Sequence, residues 1–317
     1  MFHEMRYVYA VYQEQSFSKA AEKLYISQPS LSAMVKRAEK RIGSDIFNRS
    51  TIPVTLTQIG EAYIADVEKI MELETELRRH VSDSNDLLIG HLSVGGTTLF
   101  TSFILPALIA GFTKRYPGVT IQICEASTQR LEKELAEGTL DFLIDNCELS
   151  TKIYNQEIVC AEELLLAVPA ASAAHQTAGR FSLNASDIQK GRHLLKDTEI
   201  APFDAFQNEN FLLLKEGNNT RARADKIFRR ARIKPKILFL LDQQMTTYHL
   251  ACNNVGCAFV SDTLVKHMPA TKEILFYKLD HDLAKRYIYL YSRQNNYQTR
   301  AVKAFIEMAA KAPLSFS

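Results

Sequence analysis

Net charge is the first thing this 317-residue chain has little of: 38 basic and 36 acidic residues leave it at +2. Any non-specific affinity for nucleic acid is then salt-sensitive without being extreme. No hydrophobic run is long and uninterrupted enough to span a bilayer, and the N-terminus opens on an amphipathic pattern rather than a signal peptide. The expectation is a cytoplasmic protein with no membrane partner. Five cysteines, Cys124, Cys147, Cys160, Cys252 and Cys257, are odd in number and fall into no Cys-x-x-Cys or cysteine–histidine spacing, so buried thiols are expected rather than a disulfide framework. The histidines at 3, 80, 91, 175, 193, 249, 267 and 281 form no His-Glu-x-x-His group. The loop Val94-Gly95-Gly96-Thr97-Thr98 lacks both Gly-x-Gly-x-x-Gly and the Gly-Lys-Ser/Thr ending of a P-loop. A Gly-x-Ser-x-Gly elbow is missing too. No catalytic constellation, metal site or cofactor is therefore expected, and the chain reads as a non-enzyme.

What is present is concentrated at the N-terminus. Ser27 is placed to cap a helix in which Pro29 falls in the first turn, where its missing N–H is no loss. Leu31, Val35, Ala38 and Ile42 then recur at helical spacing as one buried stripe. The opposite side carries Pro29, Ser32, Ala33, Lys36, Arg37 and Lys40, small near the start and basic further on. Such a face fits a major groove: Gln28 can pair with adenine, Ser30 and Ser32 let the backbone approach, and Lys36 and Arg37 reach guanine or phosphate. Upstream, Phe2, Met5, Val8, Tyr9 and Tyr12 give a first helix its apolar face, and Ser18 is read as the cap of a second, where Ala20 and Ala21 permit close packing. Downstream, residues 46–57 alternate like two short strands around a turn, a wing that places Arg49 near phosphate or a minor groove. Residues 1–58 carry +3, so the rest of the chain carries −1.

Ser-Phe-Ser-Lys-Ala-Ala-Glu-Lys-Leu from Ser16, Ser-Gln-Pro-Ser-Leu-Ser from Ser27, Ile-Phe-Asn-Arg from Ile46 and Leu-Thr-Gln-Ile-Gly from Leu56 follow one another in register. In this the chain resembles the LysR-type transcriptional regulators. The resemblance implies a sequence-specific regulator that binds double-stranded DNA at an operator with dyad character and answers to a small-molecule effector. RNA polymerase is a candidate partner.

A single long helix is expected from Thr57, its N-cap, to about His80. Ile59, Tyr63, Asp66, Ile70, Leu73 and Leu77 follow the a/d spacing of a coiled coil with one polar interruption, so Ile59, Tyr63, Ile70, Leu73 and Leu77 are read as a dimerisation seam. Ser82-Asp83-Ser84-Asn85-Asp86 breaks the period like a hinge. From His91 the pattern becomes alternating strand and helix, twice over, which implies parallel sheets. Pro117 precedes Gly138 and Pro235 precedes Gly256 by the same interval. The corresponding offset of 118 pairs Val119 with Ile237, Ile123 with Leu241 and Thr128 with Thr246. The fold expected is multidomain, α+β and α/β. It comprises a winged helix-turn-helix at 1–58, a linker helix and hinge at 59–87, and a two-lobed α/β effector domain at 88–317. Lobe I is expected at about 88–166 and 270–317 and lobe II at about 167–269, with crossings near Leu166 to Pro169 and His267 to Lys272. By resemblance the two-lobed domain is similar to periplasmic solute-binding proteins, and the whole assembles as a homodimer or homotetramer.

A ligand is expected between the lobes, where Gly95-Gly96-Thr97-Thr98, Ser127-Thr128-Gln129 and Gly217-Asn218-Asn219-Thr220 offer hydroxyls, amides and helix N-termini suited to an anion such as a carboxylate. By resemblance Thr97, Thr98 and Thr128 hold effector, with Thr246 as the pseudo-symmetric partner and Asn219 and Thr220 on the second lobe. Asp145 and Asn146 are placed to receive an amine or to shape the mouth. Arg221, Arg223, Arg229, Arg230 and Arg232 read as a solvated helix face or a subunit surface. Two rival readings are a catalytic two-lobed protein with a DNA-binding head, for which no reactive set is found, and a nucleoid-type DNA binder without ligand, against which the repeated, capped cleft argues.

Overall fold

The computed structural model describes residues 2–83, 90–294 and 298–311, and the chain divides into two compact units, Met1–His80 and Val81–Ser317.

In the first unit, α1 (Phe2–Glu14), α2 (Phe17–Lys23) and α3 (Gln28–Ile42) pack around Val8, Val11, Ala20, Ala21, Leu31 and Val35. The wing is β1 (Phe47–Asn48) paired antiparallel with β2 (Thr55–Leu56). The long helix α4 runs Gln58–Asp83, and Thr57 caps it as expected, its hydroxyl accepting the Gly60 amide at 2.9 Å. Gly60 is required there, because a Cβ would run into the Ile46 carbonyl. Ile64 and Val67 are buried, and Ile64 and Tyr63 join the core of the three-helix head. Tyr63 thus faces its own head, whereas the seam expected above placed it with the dimer contacts. Ile59, Leu73 and Leu77 are 51%, 62% and 64% exposed. Ser82 and Asp83 continue the helix, and the remainder of the expected hinge, 84–86, lies outside the described residues.

The second unit opens with β3 (Gly90–Gly96), α5 (Thr98–Phe103), α6 (Leu105–Arg115), β4 (Val119–Glu125), α7 (Thr128–Ala136) and β5 (Phe142–Asp145). The strand β6 (Tyr154–Pro169) follows, then α8 (His175–Ala178), α9 (Ala185–Gln189), β7 (Asn210–Leu214), α10 (Asn219–Ala231), β8 (Lys236–Leu241), α11 (Gln244–Cys252) and β9 (Cys257–Ser261). The chain returns through α12 (Asp262–His267), β10 (Ile274–Lys278), α13 (His281–Ala284), β11 (Lys285–Arg293) and α14 (Arg300–Lys311). The sheet order is β4-β3-β5-β11-β6-β9-β7-β8, with β10 on β6. β3 is parallel to β4 and β5, and β7 to β8 and β9, which are the two expected parallel series.

The two lobes share β6. Its first part pairs with β11 as far as Glu163, and its second part pairs with β9 from Leu164 and with β10 from Leu165. Leu166 to Pro169, expected as a crossing, are therefore buried in the lobe II sheet, and the chain crosses at Glu163–Leu164. The second crossing also differs: β10 belongs to lobe II, where Ile274, Phe276 and Tyr277 are core residues. The return runs through α13 between β10 and β11, so 267–272 stays inside lobe II. A fully buried strand carries no polar alternation, which is why the apolar run from Leu164 looked like a boundary.

Candidate functional site

In the DNA-binding head, Ser27 caps α3 by accepting the Ser30 amide at 3.3 Å, and Gly43 ends it in the left-handed region at φ 76°. Leu31, Val35 and Ala38 face inward as expected, but Ile42 is 40% exposed and leaves the stripe at the helix end. Gln28, Pro29, Ser30, Lys36 and Arg37 are exposed and Ser32 is half-buried, so the expected groove-facing set lies on one helix and its first turn. The α2 cap is Ser16, whose oxygen accepts the Lys19 amide at 3.4 Å; Ser18 sits one residue inside the helix, exposed. Arg49 lies beside this face. Its guanidinium meets the buried Glu39 carboxylate at 2.7 Å, approaches the Ser32 hydroxyl at 3.4 Å and lies 5.0 Å from the Phe17 ring centroid. Glu39 accepts the amides of Ile46 and Phe47 with its other oxygen, so it ties α3 to the wing. The sequence reading missed Glu39 because an acidic residue between two inward-facing positions looks like solvated surface.

In the second unit the three expected polar junctions converge on one cleft between the lobes, with a volume of about 180 Å³. Thr97, Ser127, Thr128, Gln129, Asn218, Asn219 and Thr220 line it, with Asp145 and Asn146 at its floor. Two expected residues are not there. Thr98 turns away, its hydroxyl donating to Glu125 at 2.7 Å beside Thr101, which donates at 2.8 Å to the other oxygen; these two bonds hold the Glu125 carboxyl below its ordinary range. Thr246 is exposed on α11, and Gln244 takes its place in the cleft. The reason is local: α7 begins at Thr128 and α11 at Gln244, so the repeat has slipped by two residues from the offset set by the prolines and glycines. An offset taken from strand ends would have found Gln244.

Asp145 is buried and accepts the Asn146 amide at 2.7 Å and the Cys147 amide at 3.0 Å on one oxygen, and the Thr128 hydroxyl at 2.7 Å on the other. Burial pushes its pKa up against these three bonds. Thr220 is also buried, and its oxygen accepts Gln244 Nε2 and Arg286 Nη1, each at 2.9 Å. Behind it, Arg286 Nε donates to Glu162 at 2.6 Å, an ion pair shut off from solvent, and Asn146 donates to the same carboxylate oxygen at 2.8 Å. Arg286 and Glu162, which no motif or spacing singled out, stand opposite each other on β11 and β6.

Nearby, Lys215 and Asp242 pair at 2.8 Å. The arginines of α10 are not simply a solvated face. Arg221 pairs with Asp225 and donates to the Leu214 carbonyl, while Arg223 donates to the Leu283 and Lys285 carbonyls. All five cysteine pKa values are raised, by burial first in each case, that of Cys160 to about 12, which disfavours the reactive thiolate. Among the described residues no group of His, Cys, Asp and Glu is arranged to hold a metal, and no helix is long and apolar enough to cross a membrane.

Residues 2–61 match the model of the bacterial regulatory helix-turn-helix protein, lysR family, and residues 85–313 match the LysR substrate binding domain. The uncharacterized HTH-type transcriptional regulator YcgK of Bacillus subtilis is 26% identical over 97% of this chain and 93% of its own length. A probable RuBisCO transcriptional regulator of Synechocystis is 27% identical over 96% of this chain and 84% of its own. Among solved structures, a full-length OxyR variant of Pseudomonas aeruginosa shares the fold with a TM-score of 0.62 at 23% identity, covering 98% of both chains. CbnR complexed with its target DNA does so with a TM-score of 0.61 at 20% identity, again over 98% of both. With a helix-turn-helix head at one end and a two-lobed substrate-binding-type domain filling the rest, the chain belongs to the LysR family of transcriptional regulators.

Proposed function

We propose that this regulator reads base edges with Gln28, Ser32 and Lys36, while Ser18, Ser27, Pro29, Ser30, Arg37 and Arg49 position it on the DNA backbone, and that a small anionic effector in the lobe cleft sets its activity. The observation that carries the effector half is the convergence of three helix-starting junctions, distant in sequence, on one cleft of about 180 Å³; Asn218 caps its helix with its side chain, while Thr97 and Ser127 leave theirs without a side-chain cap. Thr97, Thr128, Asn219 and Thr220 are its contact residues, with Asp145 as the group that orients Thr128. Effector favours one arrangement of the lobes, and the linker helix passes that bias to the DNA-binding heads. Pairing uses Ile59, Ile70, Leu73 and Leu77 of α4. A second self-contact, through the edge strand β8, would extend the dimer to a tetramer: Ile237, Leu238, Phe239 and Leu240 are each 43–52% exposed, an apolar edge that monomers rarely leave open. RNA polymerase is the partner such a regulator meets at a promoter, and the cytoplasm is its place of action.

Two experiments test this. On matched and scrambled operators, Gln28→Ala or Ser32→Ala should reduce the specificity ratio; an unchanged ratio for both means that α3 does not read bases. A thermal-shift screen of small organic anions should give stabilising ligands whose effect disappears in the cleft-filling Ser127→Trp. Ligands that act equally on that variant place the effector elsewhere, and a screen without any stabilising anion removes the anionic effector.

A further inference from the structure

The cleft walls present opposite hydrogen-bond polarity, and the wiring behind each wall fixes it. On lobe II the Ser261 amide, which can only donate, meets Gln244 Oε1 at 3.0 Å. That orients the amide group so that Gln244 Nε2 donates to Thr220 Oγ1. Arg286, which also can only donate, takes the second lone pair of the same oxygen. The Thr220 hydroxyl has then accepted all it can, and its proton is free to donate. Among the described residues no acceptor meets it, although the side chain is 4% exposed and lines the cleft. It stands in the first turn of the 13-residue α10, whose positive dipole end favours an acceptor or an anion, although Asn218 Oδ1 already takes the Thr220 amide at 2.8 Å.

Lobe I is wired the other way. Two backbone amides converge on one oxygen of Asp145, and the other oxygen takes the Thr128 proton. Thr128 therefore offers the cleft lone pairs, made more basic by the carboxylate behind it. A ligand that satisfies both walls carries an anionic acceptor for the Thr220 side and a donor of its own for Thr128. At about 180 Å³ the cleft lies below the usual range of about 300–1,000 Å³ for drug-sized ligands, which favours a small molecule.

Resting on the effector-cleft reading above, we infer that the effector is a short carboxylate that also bears a hydroxyl or ammonium group. A plain carboxylate leaves the Thr128 oxygen unmatched.

Calorimetry on the full-length protein with lactate, glycerate, alanine and serine, each set against propionate, tests this. The best bifunctional ligand should bind at least about tenfold more tightly than propionate. Thr128→Val should erase that advantage, bringing the ratio of bifunctional-ligand to propionate affinity down to about one. Thr220→Val should weaken every carboxylate roughly ten- to a hundredfold, with Thr220→Ser restoring affinity. Propionate binding as tightly as the best bifunctional ligand, an advantage that survives Thr128→Val, or no binding by any of the panel overturns the inference. The cleft reading itself is judged separately, by whether anions from the broad screen lose their effect in Ser127→Trp.

Discussion

Arg49, proposed above as a DNA-backbone contact, also holds its own scaffold. Its partner Glu39 is 6% exposed and uses its other oxygen for the Ile46 and Phe47 amides. Arg49→Ala would remove the proposed phosphate contact and also leave a buried carboxylate short of its charge partner, a loss of about 1–3 kcal/mol. The variant should weaken binding to matched and scrambled operators alike and lower the melting temperature of the free protein. An unchanged melting temperature would show that Glu39 does not depend on Arg49. Asp262 makes a pH prediction of definite sign. Burial pushes its carboxyl up, but His193 at 3.0 Å, Lys266 at 2.9 Å and the Glu163 amide at 2.8 Å outweigh that and hold it below the ordinary carboxylate range. A carboxyl lowered in the folded state contributes stability above its unfolded pKa and loses it as pH falls through the folded value. Urea unfolding from about pH 6 to about pH 3 should show wild type losing stability on the acid side. Asp262→Asn should start lower and fall less, and parallel curves would discount the cluster. Asp145 has the opposite sign: burial raises it, so its contribution falls as pH rises between the unfolded and folded values.

At the scale of elements, α4 carries one apolar face packed in the head and apolar residues left open further along. Ile64 and Val67 are 3% and 1% exposed in the head, while Leu73 and Leu77 are open. Ile64→Ala should therefore destabilise the head by about 2–5 kcal/mol, read as a fall in melting temperature. Leu73→Glu with Leu77→Glu should instead abolish the dimer in sedimentation with little effect on head unfolding. A dimer that survives the double substitution would move self-association to another surface, such as β8. The sequence displayed this helix and both parallel series clearly, because caps and apolar periods are local signals. It blurred wherever the outcome depended on a residue or two of phase. Thr97 faces the cleft and Thr98 faces Glu125 because α5 starts between them. Gln244 displaced Thr246 because α11 starts two residues earlier than the repeat implied. The strand β6 hid its crossing because its second half is buried in a sheet on both edges, which erases alternation.

At the scale of the whole effector domain, the lobes meet at the shared strand, at the Phe103–His267 ring contact of 5.0 Å between α5 and α12, and at the Glu162–Arg286 pair. That pair sits where β6 and β11 pass between lobes and reaches Asn146 on one side and Thr220 on the other. Buried ion pairs contribute little net stability, yet removing one partner strands the other charge, at a cost of about 3–5 kcal/mol. Arg286→Met should accordingly destabilise the domain by that amount in denaturant unfolding. Adding Glu162→Met should recover much of the loss, since the stranded carboxylate is gone. Function should not recover with it. Without Arg286 the Thr220 oxygen has a spare lone pair and its proton is no longer directed into the cleft, and without Glu162 Asn146 has lost its acceptor on the strand that joins the lobes. The double variant should then fold nearly as stably as wild type and bind carboxylates weakly, separating the pair's structural role from its orienting one. If the double variant bound carboxylates as wild type does, Thr220 would be oriented by Gln244 alone, and the ion pair would be no more than a clasp between two strands.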